Sequence, residues 1–150
     1  MKAKDYLKKI EILDIKINTR LEELESLKAL ATKTTGTMGG ERVQSSSDQQ
    51  KMASCVNRIV DLMDELNADI DYFVDYKRTA LQIIDKHCTP DCISLLYKRY
   101  FQYKAWETIA HEMRLTYKWV AGGMHNKALA QLQKGLKEAR HGEDRAENKS

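Results

Sequence analysis

Apolar residues recur at alternating spacings of three and four along two long stretches of the chain, the signature of helices that bury one stripe. In the first stretch, roughly residues 3–31, the stripe is Ala3, Tyr6, Ile10, Leu13, Ile17, Leu24, Leu27 and Ala31, with Arg20 interrupting it and Leu7 and Leu21 widening it. Glu22, Glu23 and Lys28 fall on the wet side. The repeat is coiled-coil-like over about four heptads. A second stretch, from about Asp48 to His87, continues the same spacing through Met52, Cys55, Ile59, Leu62, Leu66, Phe73, Tyr76, Ala80, Ile83 and His87, thickened by Met63, Ile70, Leu81 and Ile84. At about 1.5 Å per residue such a helix is about 60 Å long and must pack its stripe on the first helix, on a second copy, or on both. Asp69 sits on this seam, where a polar residue can set register or oligomeric state, or simply reach solvent at the edge.

Between the two helices, residues 32–50 break the pattern with Gly36, Gly39, Gly40 and three serines, and predict a loop. Ser47 followed by Gln50 resembles a capping box opening the second helix. Arg42 and Gln44 would be the loop's partner-binding residues if it is more than a connection.

Pro90 closes the second helix. A short helix is expected from Asp91 to Gln102, burying Ile93, Leu96, Tyr97 and Tyr100, followed by a turn at Gln102-Tyr103-Lys104. Trp106 to Leu132 then predicts a helix, a tight turn and a second helix. Ile109, Met113, Leu115 and Val120 are apolar where such a unit buries side chains, and Ala110 is small where its helices cross. Thr116 is placed to cap the second helix through its hydroxyl, which puts Tyr117, Lys118 and Trp119 in its first turn. An apolar edge continues through Ala128, Leu129, Leu132 and Leu136. The tail at 141–150, HGEDRAENKS, has no apolar anchor and is expected to be disordered.

These elements predict an all-α protein: a long antiparallel helical pair at 1–88 with its loop at 32–50, a small helix-turn-helix unit at 89–140, and the tail. Composition agrees, being rich in Lys, Glu, Leu and Ala with one proline in 150 residues. No apolar run approaches the roughly 20 residues that cross a bilayer, and the charged, amphipathic start is no signal peptide. A cytoplasmic protein with no membrane partner is expected. Three cysteines, an odd number, argue against a disulfide framework. Cys88 and Cys92, with His87 beside them, form one metal-like cluster where a structural zinc site needs two, so no metal or other cofactor is expected. His87, His111 and His125 are scattered, and no phosphate loop or nucleophile–base pattern occurs, so no enzyme is expected. Asp61, Asp64 and Glu65 are read as a solvated face.

Charge sharpens the picture. The formal total is +3, but residues 97–140 hold nine Lys/Arg against three Asp/Glu. A local positive field is what phosphate neutralisation needs, and the turn after Thr116 is the one that enters a major groove in helix-turn-helix proteins. The alternatives are a solvated basic face and an ordinary helical hairpin.

LLYKRYFQYKAWETIAHEM, LTYKWV and HNKALAQL together resemble region 4 of bacterial sigma factors, whose helix-turn-helix reads the −35 promoter element. The whole chain, including GERVQSSSDQQKMA, resembles small phage and prophage regulators of the ArpU and RinA type, linked to late transcription. The resemblance covers about residues 3–138. It implies a sequence-specific, double-stranded-DNA-binding transcription regulator in which Thr116, Tyr117, Lys118, Ala121 and Gly122 face the groove. Tyr117 and Trp119 would stack on sugar or bases, and Arg99, Lys104, Arg114 and Lys127 would position phosphates. Plain packing is the other role for Trp119, and the expected role for Trp106. One departure stands out: VAGGMH carries a residue more than the family's recognition helix, and two glycines sit mid-helix. Deleting Gly123 is expected to return Met124 to the buried face and to stabilise the helix; the alternative is that the two glycines form a deliberate kink, and deletion would then turn His125 and Lys127 away from their contacts. The alternative function is a helical interaction protein, binding RNA polymerase or another phage protein without reading DNA. In either case the N-terminal helices are expected to form a homo-oligomer.

Overall fold

The computed structural model describes residues 1–36 and 46–149, and every regular element among them is helical. Helix α1 spans Ala3–Gly36 and α2 spans Ser46–His87. Helix α3, Pro90–Leu96, runs on as a π-helical turn at Tyr97–Phe101. Helix α4 is Trp106–Met113, and α5, His125–Glu147, is entered through a π-helical turn at Trp119–Met124. No described helix is long and apolar enough to cross a membrane. Arg42 and Gln44 lie outside the described residues.

The chain forms two compact units. One is Leu13–Phe73; the other joins Met1–Ile12 to Val74–Ser150. This division differs from the cut at residue 88 that the sequence suggests, because the first turns of α1 and the last turns of α2 pack with the C-terminal residues.

In the Leu13–Phe73 unit the two stripes meet. Ile17, Leu24, Leu62 and Leu66 are buried together, with Leu27, Ile59 and Phe73 packed against them. The two seam interruptions also meet: Arg20 Nη1 lies 2.6 Å from Asp69 Oδ2 and 3.4 Å from Glu65, and Lys16 reaches Asp69 at 3.5 Å. Arg58 bridges Glu23 and Glu65. Leu21, Met63 and Ile70, expected to widen the stripes, are exposed instead.

In the other unit Ala3, Leu7 and Ile10 of α1 join Ala80, Ile84 and Cys88 of α2 and the apolar faces of the later helices. The Ala3 N–H donates to Gln133 Oε1 at 2.7 Å, and the Tyr76 hydroxyl donates to the Tyr6 carbonyl at 2.7 Å. Leu7 thus belongs to the core rather than to its margin. Gly135 lets α5 approach α2 closely: a Cβ there would sit 2.6 Å from the His87 ring. Cys88 and Cys92 are buried, and burial pushes the Cys88 thiol up to about 11, so it packs as a protonated apolar group.

Several boundaries and burials differ from expectation. Helix α2 begins at Ser46, so Ser47 lies in its first turn rather than capping it. The expected disordered tail is helical to Glu147, although residues 137–149 are all exposed, as the missing apolar anchor predicts. Leu95, not Tyr97, is buried in α3: its buried face is Cys92, Leu95 and Leu96, and Tyr97, still in helical geometry, falls off that face and is 42% exposed. Leu115 is exposed too, because the chain turns sharply one residue before it.

Candidate nucleic-acid interface

The turn between α4 and the next helix is built by two local devices. Arg114 adopts the left-handed conformation (φ 56°) and ends α4. Its N–H donates to the His111 carbonyl, and the Leu115 N–H donates to the Ala110 carbonyl at 3.0 Å. This is the Schellman arrangement, which satisfies the last carbonyls of a helix. Thr116 then caps the following helix: its hydroxyl oxygen accepts from the Trp119 N–H at 3.3 Å, and its carbonyl accepts from the Val120 N–H. Ile109 and Val120 are fully buried behind the turn, and Ala110 is nearly so, which anchors both helices.

Thr116, Tyr117, Lys118 and Trp119 are consequently all exposed on one first turn. Tyr117 is 52% and Trp119 49% exposed, so neither is consumed by packing. No ion pair among the described residues involves Arg114 or Lys118. Ala121 and Gly122 are half-buried on the next turn.

The π turn at Trp119–Met124 changes the expectation for the two glycines. It accommodates one more residue than an α-helical turn, so its last residue and those after it keep their faces: Met124, His125, Ala128 and Leu132 are all buried. Met124 needs no deletion to reach the core. The Trp119 ring packs over Gly123, where a Cβ would lie 2.4 Å from it and push it aside, whereas a Cβ on Gly122 meets nothing within 4 Å.

The four expected phosphate-positioning residues divide. Lys104 and Lys98 both hold Glu112, at 2.7 and 2.6 Å, and their hydrogen bonds pull that carboxyl down to about 2. Two lysines on one carboxylate leave a net positive site. Arg99 is partly buried: it donates to the Lys104 carbonyl at 3.0 Å and stacks over the Trp106 ring at 4.5 Å. Lys127 is exposed and lies 3.9 Å from Asp91.

Behind this surface is a cluster that the scattered histidines gave no reason to expect. His125 is buried, edge-on to Trp106 at 4.6 Å, with its Nε2 2.7 Å from the Tyr100 hydroxyl. Burial, followed by the positive charges of Lys4 and Arg99, lowers His125 to about 4, so it is neutral near pH 7. Burial also raises Tyr100, whose retained proton can be donated to Nε2. Trp106 is half-buried here, a lid on His125 rather than a fully enclosed plug.

Net charge follows the compact units. Met1–Ile12 with Val74–Ser150 carries 18 Lys/Arg against 11 Asp/Glu, a net +7, while Leu13–Phe73 carries 7 against 11, a net −4. Among the described residues no cluster of His, Cys, Asp or Glu could hold a metal ion. No protein-family model matches the chain, and neither does any curated protein or solved structure.

Proposed function

We propose that this protein is a sequence-specific double-stranded-DNA-binding transcription regulator whose α4–turn–helix segment acts as a helix-turn-helix. The observation that carries the reading is the Thr116 cap, which presents Tyr117, Lys118 and Trp119 to solvent on one turn of a unit with net charge +7. A capped turn of this kind suits entry into a major groove. Lys118 is the donor for guanine or phosphate, and Arg114 the backbone contact beside it. The resemblance to sigma region 4 and to phage regulators points the same way. Arg114→Ala combined with Lys118→Ala should weaken binding to the preferred sequence more than tenfold at physiological salt, since such contacts are each worth about 1–3 kcal/mol. Unchanged affinity in the double variant would remove the groove assignment.

A second observation supports self-association through the other unit. Val56, Val60, Met63, Asn67 and Ile70 follow one another on α2 at spacings of four and three, and all five are exposed. This is a heptad stripe separate from the one that α1 covers. Asn67 takes an a position, where an asparagine pairs best with its own counterpart in a parallel, in-register copy. Sedimentation of the full chain against Asn67→Lys with Val60→Lys should show loss of the dimer in the variant. A parent that is monomeric at high micromolar concentration would exclude this interface.

A further inference from the structure

We propose that Lys4 and Lys8, on the first turns of α1, form with Arg99 a seat for a phosphate group beside the Thr116–Gly122 turn. The seat brings a part of the chain remote in sequence into the interface. This rests on the DNA-binding reading for its natural ligand, a phosphate of the duplex backbone.

Lys4, Lys8, Arg99, Tyr103, Ala121 and His125 line one open cavity of about 330 Å³. Lys4 and Lys8 are four residues apart and share a helix face. Both are exposed, and no ion pair among the described residues involves either. Glu11 lines the same cavity, so three cations face one carboxylate, with His125 adding no charge near pH 7. Arg99 is held in place by its stack on Trp106 and its bond to the Lys104 carbonyl, which leaves the rest of its five-donor fork for a ligand. Ala121 ties the cavity to the candidate recognition helix. A duplex entering along that helix carries a phosphate backbone on each side of the groove, and a small residue at 121 keeps the approach open. Sequence-local charge counting misses this, because Lys4 and Lys8 stand in the half of the chain with no net positive charge.

The test uses the full chain and a random-sequence duplex, with affinity measured across a salt series. Lys4→Ala with Lys8→Ala should reduce affinity at least tenfold and flatten the log–log salt slope by about 2, one for each phosphate that is no longer neutralised. Lys28→Ala with Lys51→Ala, the same charge change in the other unit, should stay within about twofold of the parent. Lys4→Arg with Lys8→Arg should retain binding, which separates a direct ionic role from a folding defect. A Lys4/Lys8 alanine variant with the parent's affinity and slope overturns the proposal. If the parent binds no duplex even at low salt, the DNA reading fails by itself. The seat is then decided by titrating inorganic phosphate and following the Lys4, Lys8 and Arg99 signals by NMR. Saturable shifts there support a site for free phosphate, and unmoved signals overturn it.

Discussion

Arg20 and Asp69 meet at 2.6 Å at the two positions where the apolar stripes of α1 and α2 are each interrupted by a charge. Both side chains are about three-quarters covered, at 28% and 23% exposure. An interruption that is unfavourable in either helix alone becomes a register mark once they pair, because a slip of one turn would set each charge against an apolar neighbour.

Removing one partner should therefore cost more than removing both. Asp69→Ala removes the short contact of the Arg20 guanidinium and leaves it only Glu65, at 3.4 Å, and is expected to lower stability by about 1–3 kcal/mol. Arg20→Leu with Asp69→Leu should recover most or all of it, since a well-packed apolar pair commonly equals a buried ion pair. Urea unfolding of the single and double variants gives the comparison. A double variant no more stable than the single would show that the pair contributes net stability.

His125 predicts a specific acid sensitivity. Its folded value, about 4, lies below its ordinary value of 6.5, so the unfolded chain binds the proton more readily. The stability it permits is fully present above about pH 6.5 and is lost as the pH falls from there to about 4, by an amount on the order of 3 kcal/mol. Thermal melts at pH 7.5 and 4.5 should show a larger fall for the parent than for His125→Gln, which carries no titrating ring. Equal falls would assign the acid sensitivity to carboxylates instead.

Arg114 pays for its left-handed backbone with strain that glycine does not have. Arg114→Gly should raise stability by about 1 kcal/mol, because L-residues are disfavoured in this conformation. It should also weaken DNA binding by removing a cation next to Lys118. Opposite movement of melting temperature and affinity is the expected signature. A destabilised glycine variant would mean that the arginine side chain supports the turn by contacts of its own.

The two adjacent glycines should respond differently. Gly122→Ala has open space and should stabilise by up to about 1 kcal/mol through helix propensity. Gly123→Ala must displace the Trp119 ring, which shows as a change in tryptophan emission and in DNA affinity. Deleting Gly123 should lower stability, since it removes the π turn that keeps Met124 and His125 on the buried face. A more stable deletion variant would mean that the π turn is strain rather than accommodation.

Much of the helical layout was legible because periodicity is a local property. The stripes through Ile17 and Leu24, and through Leu62 and Leu66, needed only a count along the chain. The Thr116 cap was legible for the same reason, since donor and acceptor lie three residues apart. So was the positive excess at 97–140. The outward turn of Tyr97 and the exposure of Leu115 were not. Tyr97 lies just off the face of Cys92, Leu95 and Leu96, in a stretch apolar enough to allow either stripe, and Leu115 follows a left-handed Arg114 of which hydropathy carries no record.

The order of residues alone thus specifies the all-helical class, the buried face of each long helix and the capped turn that presents Tyr117, Lys118 and Trp119. All of these follow from interactions within a few residues. Long-range packing set the rest. It matched Arg20 to Asp69 and enclosed His125 with Tyr100 and Trp106. It let the π turn keep Met124 in the core, and it brought Lys4 and Lys8 to Arg99. Such partners lie 19 to 95 residues apart along the chain. Only the burial of a shared apolar core supplies the free energy to hold charged and polar groups of such separation within reach of one another.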